Sequence, residues 1–467
     1  MATSQPTADF LDQPEAPQTF GDRVAAWLDR YASNVFVLPA VIIVLVMSIF
    51  PLIVSLYLSM TRVKIAAGGF DISFIGLANF NKLIFGREQR HTIGKIGEPT
   101  AFGWFLFGLI VVLLALGMMR LIRKRTDLSL SAGLGAVVGL IGVGLIVGFV
   151  LYNIYTVEGE PPEMGLLGML AWGSFCTFVI LRILLLFAVD YLPAAARGLG
   201  PILGRLVAVT IALYFAWITV HTFTTLPNAE GNPTGIPGTI LVTLYFVILG
   251  VALQYLIGLG LALLLTGDLF GKRFFRIVFL LPMMITPVGV AYMFRMVTNT
   301  SIGPLTPIFR NVFGVGGDYS WAAQASSARV GVMLADVWQW TPFIFIVLVA
   351  ALEGMAQDQR EAALVDGATS WQFFRYITLP QILPVSTTVI LIRLIEAFKI
   401  IDLPFVMTRG GPGTATEPMT LHAYQAFKAT DFGGSAAVAY VLLFLATYVA
   451  LNFINNTRPL AEEIAAQ

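Results

Sequence analysis

Several uninterrupted stretches of this chain contain no Asp, Glu, Lys or Arg, the clearest being Tyr31 to Thr61, Leu128 to Val157, Gly231 to Gly267 and Phe432 to Thr457. Each exceeds the roughly 20 apolar residues that a helix needs to cross the hydrocarbon core of a bilayer. A backbone surrounded by lipid must satisfy its own N–H and C=O groups, and helices do so within a single segment. Composition agrees. Apolar residues make up 57% of the chain and charged residues 12%, about half the share usual in soluble domains. The expected fold class is therefore an all-α polytopic membrane protein, with membrane lipid as its solvent. A formal net charge of +1 excludes a nucleic-acid footprint. The one cysteine, Cys176, lies inside an apolar run and supports neither a disulfide framework nor a metal cluster.

Ten spans are expected near residues 36–60, 102–122, 129–153, 165–188, 205–226, 238–266, 275–298, 331–352, 384–405 and 435–456. Cytoplasmic loops collect Lys and Arg when they are short, which orients these spans. Arg120, Arg123, Lys124 and Arg125, then Arg197 and Arg205, then Lys272, Arg273 and Arg276 all fall on the side of the N-terminus. The opposite side carries Glu158, Glu160, Glu163 and Glu230. Residues 62–101 disagree, holding six Lys and Arg on the expected outer side, but long translocated segments follow the charge rule poorly. Residues 1–31 are polar and lack a secretory signal, so both termini are expected in the cytoplasm.

One polar island stands out among the apolar segments. From Asp358 a short helix is expected through Val365, with Asp358 as N-cap and Ala362, Ala363 and Leu364 as good helix formers. Gly367 should then stop it, since a residue without a Cβ readily takes φ > 0. A second short helix is expected over Ser370 to Tyr376, presenting Trp371, Phe374 and Arg375, and closed by Pro380 and Pro384. Eight spans precede this island, so an even count places it in the cytoplasm.

The residues Glu361-Ala362-Ala363, then Gly367, then Ile377-Thr378-Leu379-Pro380 resemble the EAA coupling loop of ABC importer permeases. The first span, with Phe50-Pro51-Leu52 and Ser55 to Ser59, and the Gly76-Leu77-Ala78-Asn79-Phe80 segment resemble the maltose and glycerol-phosphate branch of that family. So do Asp402-Leu403-Pro404, Gly410-Gly411-Pro412 and Tyr424 to Phe427. The resemblance implies a type I importer transmembrane domain: a six-helix core, here with four inserted helices. Its domains would be a cytoplasmic segment 1–35, a first core helix and outer loop 36–101, an inserted bundle 102–226, a core permease domain 237–457 with its coupling loop at 354–384, and a tail 458–467. It further implies a bacterial inner-membrane location and no cofactor in this chain, with ATP and Mg bound by a partner ATPase dimer. A homologous second permease and an extracytoplasmic solute-binding protein would complete the assembly. Glu361, Ala362, Ala363, Asp366, Gly367, Ala368, Phe374, Leu379 and Pro380 would form the ATPase-coupling surface, and the solute would be a carbohydrate or related polar compound.

Polar and aromatic side chains inside spans mark the expected solute path. Trp338 and Gln339 lie beside Asp336 and Trp340, and Arg393, Glu396 and Asp402 follow in the next span. A simpler alternative is that Arg393 and Glu396, three residues apart, neutralise each other. The inserted region is rich in glycine and is expected to pack as a peripheral bundle, within which Arg182 is the unusual charge. No phosphate-binding Gly-x-x-x-x-Gly-Lys-Ser/Thr loop is present, so no enzymatic role is expected. His91, His221 and His422 are too scattered along the sequence to predict a metal site. Two other classes, a self-contained ion-coupled secondary transporter and a membrane-embedded glycosyltransferase, would need internal repeats or outer acidic residues that are weak here.

Overall fold

The computed structural model describes residues 37–66, 69–123, 194–226, 234–267, 270–312 and 320–465, together with residues 21, 170, 173 and 174. The chain divides into two compact units, Met1–Leu58 and Ser59–Gln467. The first is represented by the Val37–Ser59 helix, whose mean hydropathy of 2.9 and wholly exposed apolar flank suit contact with lipid. A π-turn at Leu45–Ile49 precedes Pro51. Proline has no N–H to donate to the preceding turn, and widening that turn is one way a helix passes through it.

The second unit opens with an antiparallel hairpin, Thr61–Ala66 paired with Gly69–Phe74, a small departure from an all-helical expectation. Asn79 accounts for the sequence pattern that follows. Its buried amide donates to the carbonyls of Ser59 at 2.8 Å and Thr61 at 2.9 Å, tying the turn beneath the hairpin. Of the expected inserted spans, the first and last are seen as the helices Ala101–Arg123 and Ala194–Phe223. They meet through Trp104, Phe107, Trp217 and His221. The second of them reaches the core, where Phe223 stacks on Tyr245 and Tyr214 and Ile218 pack with Leu241. The expected spans at 129–153 and 165–188, with Cys176 and Arg182, lie outside the described residues.

The core is built on Thr239–Thr266 against Ala325–Glu353, flanked by Ser370–Ala397 and Phe432–Ile454. Gly258 permits the central crossing: a Cβ there would lie 3.0 Å from Cγ2 of Ile344. Two apolar clusters fill this region, one around Phe246, Val290, Val332 and Met407, the other around Leu265, Ile344, Phe345 and Leu348.

Several expectations change. The span expected at 275–298 is two helices, Lys272–Met284 and Pro287–Val297, bent by 98°. Pro282 sits inside the first, and the second starts afresh with Thr286 as N-cap and Pro287 in its first turn. The span expected at 384–405 begins earlier and ends at Ala397, and Asp402 instead opens a separate short helix, Asp402–Thr408. Pro380 and Pro384 do not terminate the second coupling helix. It runs from Ser370 through a π-turn at Phe374–Thr378 into the span ending at Ala397, so the proline-deprived turns are absorbed rather than broken.

Candidate functional site

The island at 357–378 folds as an elbow. Its first helix, Gln357–Val365, is capped by Ala356 rather than Asp358, which lies in the first turn and there favours the positive end of the helix dipole. At its far end the amide of Gly367 donates to Leu364 O at 3.1 Å and that of Ala368 to Ala363 O at 2.9 Å. This pair of bonds is a Schellman stop, and Gly367 occupies its left-handed position at φ +74°. Thr369 then starts the second helix with a capping box: its hydroxyl accepts from Gln372 N, and the Gln372 amide oxygen accepts from Thr369 N at 2.8 Å. The signal for this cap, Thr-x-x-Gln, was present in the sequence, and the helix starts at Ser370 as expected. Gln381 donates to Gln359 and so ties the two arms together.

The elbow turns its small residue inward and its large ones outward. Ala363 is buried, whereas Leu364, Val365, Trp371 and Tyr376 are 66–88% exposed. Glu361, Ala362, Asp366 and Gly367 are exposed as well; Ala368, Phe374, Leu379 and Pro380 are half-buried, with Phe374 5.6 Å from the Trp371 ring. Nearby, Arg276 at the base of the broken helix pairs with Glu353 at the end of the central helix.

Within the core, three helices are joined by one buried polar network. Arg393 Nε donates to Gln254 Oε1 at 2.7 Å, and its Nη2 reaches Asp336 Oδ1 at 2.9 Å and Oδ2 at 3.0 Å. Gln254 completes the triangle by donating to Asp336 Oδ2 at 2.7 Å. The guanidinium also lies over Trp340, 4.8 Å from the ring centre. Arg393 therefore does not neutralise Glu396, which instead pairs with Lys399 at the surface. Gln254 was overlooked from sequence, although a lone amide inside an apolar span is a recognisable signal.

The other expected path residues are divided. Gln339 is buried and donates to Ile285 O at 3.3 Å, a carbonyl exposed by the helix break, while its own Oε1 has no hydrogen-bond partner. Trp338 is partly exposed beside Phe294. Asp402 is half-buried at the head of its short helix.

The histidine expectation changes outright. His91 and His422 stack with ring centres 4.3 Å apart, and Glu417 stands between them. The chain brings them together by packing Leu83 and Ile240 against Met419, Ala437 and Val438.

Long apolar helices, one of them a bent pair, beside an exposed elbow define a polytopic membrane protein. Residues 254–458 match the family of binding-protein-dependent transport system inner membrane components. The trehalose/maltose transport system permease protein MalF of Thermococcus litoralis is 34% identical over 213 residues, covering 45% of this chain and 72% of that one. The chain belongs to this family and is a membrane-spanning permease subunit, the ATPase of such importers being a separate subunit. Among solved structures, a bacterial ABC transporter that imports the acidic polysaccharide alginate is 22% identical, with a TM-score of 0.43 over 47% of this chain and 78% of that one.

Proposed function

We propose that this permease carries a carbohydrate or related polar solute across a bacterial inner membrane, and that the elbow at 357–378 receives the ATPase that drives it. The observation that carries the reading is the elbow's exposed apolar surface: Leu364 and Val365 lie between two spans, and Trp371 and Tyr376 on the first turns of the Ser370–Ala397 helix, where water is a poor neighbour and a protein partner a good one. The Ser370–Ala397 helix extends from that surface to Arg393. Twenty-two residues at about 1.5 Å each separate Trp371 from Arg393, a rod of roughly 33 Å from docking surface to buried network. Movement of the elbow on nucleotide binding would tilt this rod and shift the Gln254–Asp336–Arg393 contacts that join it to the central pair.

In this reading both termini and the elbow face the cytoplasm, and a homologous permease and an extracytoplasmic binding protein complete the assembly. Residues 237–457 with the first span form the transport core, and residues 102–226 are an inserted bundle docked through Phe223. Trp338 and Gln339, beside the helix break, are the proposed solute contacts, whereas Arg393 acts in holding the helices. Relatedness to a trehalose/maltose permease supports the solute class. The test is co-purification of an ATPase and ATP-dependent sugar uptake in proteoliposomes with wild-type chain and with Gly367→Asp. Loss of both with normal membrane insertion is expected; undiminished uptake by the variant overturns the docking role.

A further inference from the structure

Outside the elbow and the core network lies a cluster of metal-ligating groups with no part in either. His91 ends the short helix Gln89–Thr92, Glu417 precedes the helix Met419–Lys428, and His422 lies in its first turns. Glu417 Oε1 is 3.0 Å from His91 Nε2 and 3.0 Å from His422 Nδ1, so two imidazoles converge on one carboxylate oxygen. The three ligand atoms all lie within 4.8 Å of one another, and Glu417 and His422 are both buried. His91 is partly exposed and opens a route from solvent.

The decisive atom is His422 Nε2. It is buried, makes no hydrogen bond to a described residue, and faces Glu88 Oε2 at 4.0 Å. If Nδ1 carries the only proton and donates it to Glu417, Nε2 presents a lone pair to a second carboxylate in a nearly dry place. That arrangement is unfavourable on both counts. Coordination of a metal by Nδ1 reverses it. The ring proton then sits on Nε2 and points at Glu88, the carboxylate–histidine–metal arrangement that fixes ligating imidazoles. Lys82 engages the other oxygen of Glu88 at 2.7 Å and bridges it to Asp431 at 2.9 Å, which holds Glu88 in place as an acceptor.

We propose that His91 Nε2, His422 Nδ1 and Glu417 bind a divalent transition ion of the zinc type, with Glu88 as a positioning residue behind His422. Two nitrogens and one carboxylate oxygen with a fourth position open to water suit that ion. Donor atoms around tetrahedral zinc stand about 3.4 Å apart, so the two 3.0 Å oxygen–nitrogen separations need open by only a few tenths of an ångström, while the two histidine nitrogens lie within 4.8 Å of each other. The bound ion would clasp the segment after the hairpin to the loop before the last span. Its location on the solute-delivery face rests on the orientation proposed above; its existence does not.

The test uses full-length protein, purified without a polyhistidine tag into lipid nanodiscs and stripped of metal. Zinc affinity is read by competition with a chromophoric chelator, and ligation by the visible spectrum of the cobalt form and zinc-edge X-ray absorption of the wild type. One ion per chain with a tetrahedral cobalt spectrum and imidazole ligands is expected. His422→Ala and Glu417→Gln should each abolish stoichiometric binding, and Glu88→Gln should weaken it by about 10- to 100-fold. His221→Ala and Gly367→Asp should bind as the wild type does, which separates this site from the coupling reading. Absence of stoichiometric binding in the wild type, an octahedral spectrum, or unchanged affinity in His422→Ala overturns the proposal. In that case His422 stands between Glu417 and Glu88 without an ion.

Discussion

Removing the cation from the core network should be among the most damaging single changes to this protein. Arg393→Leu deletes the 2.7 Å bond to Gln254, two bonds of 2.9 and 3.0 Å to Asp336, and the contact over Trp340. Asp336 would remain 4% exposed, with Gln254 as its one remaining side-chain donor in the network. Breaking a buried pair from one side costs about 3–5 kcal/mol, because an uncompensated charge is left in a poor dielectric. At about 1.4 kcal/mol per factor of ten, the folded population relative to unfolded falls by roughly two to nearly four orders of magnitude. Replacing both charges, Asp336→Leu with Arg393→Leu, removes the orphan and should recover most of the loss, since an apolar substitute for a buried pair is often neutral. The assay is equilibrium unfolding in mixed micelles of rising SDS fraction, followed by intrinsic tryptophan fluorescence, with the two single variants and the double variant forming a cycle. A cost below about 1 kcal/mol for Arg393→Leu, or a double variant no better than the sum of the singles, would refute the view that these groups form one desolvated unit.

The helix crossing offers an internal comparison: Gly258→Leu drives a Cβ to 3.0 Å from Ile344 and should cost about 1–3 kcal/mol, whereas Gly260→Leu meets nothing within 4 Å and should be nearly neutral in the same unfolding assay. Asn79→Ala leaves the Ser59 and Thr61 carbonyls without their buried donor and should cost about 1–3 kcal/mol; Asn79→Asp, equally unable to donate, should fare no better. Val365→Glu, 88% exposed, should change stability by less than about 0.5 kcal/mol yet abolish ATPase co-purification, and an intact complex would remove Val365 from the docking face. Gly367→Ala should cost about 1–2 kcal/mol through its left-handed backbone alone, since its Cβ meets open space, and retain partial uptake in proteoliposomes.

Local chemistry was legible without coordinates. Apolar run length marks a spanning helix whatever its neighbours, because lipid acts on each segment separately. The stop at Gly367 was equally local: a glycine after a run of helix formers closes the helix through bonds to residues three to five positions back, and Gly367 sits at φ +74° as the island implied. Proline was read correctly as a disturbance but wrongly as an end. At Pro287 the helix breaks and restarts, while at Pro380 a π-turn carries it through. Sequence names the missing donor in both cases; the surrounding packing decides whether the helix bends, widens or stops.

Partnerships between distant residues were beyond the reach of sequence. Arg393 passes over Glu396, three positions away, for Asp336 and Gln254, 57 and 139 positions away, because the interior of three packed helices shields the cation from solvent and presents those two acceptors to it. His91 and His422, 331 positions apart, meet because apolar packing around Leu83 and Met419 brings their segments together. The chain by itself determined which segments are apolar enough to cross a membrane and where the coupling island pauses. Tertiary structure alone decided which polar groups face one another, since the strength of a buried charge depends on what surrounds it in space.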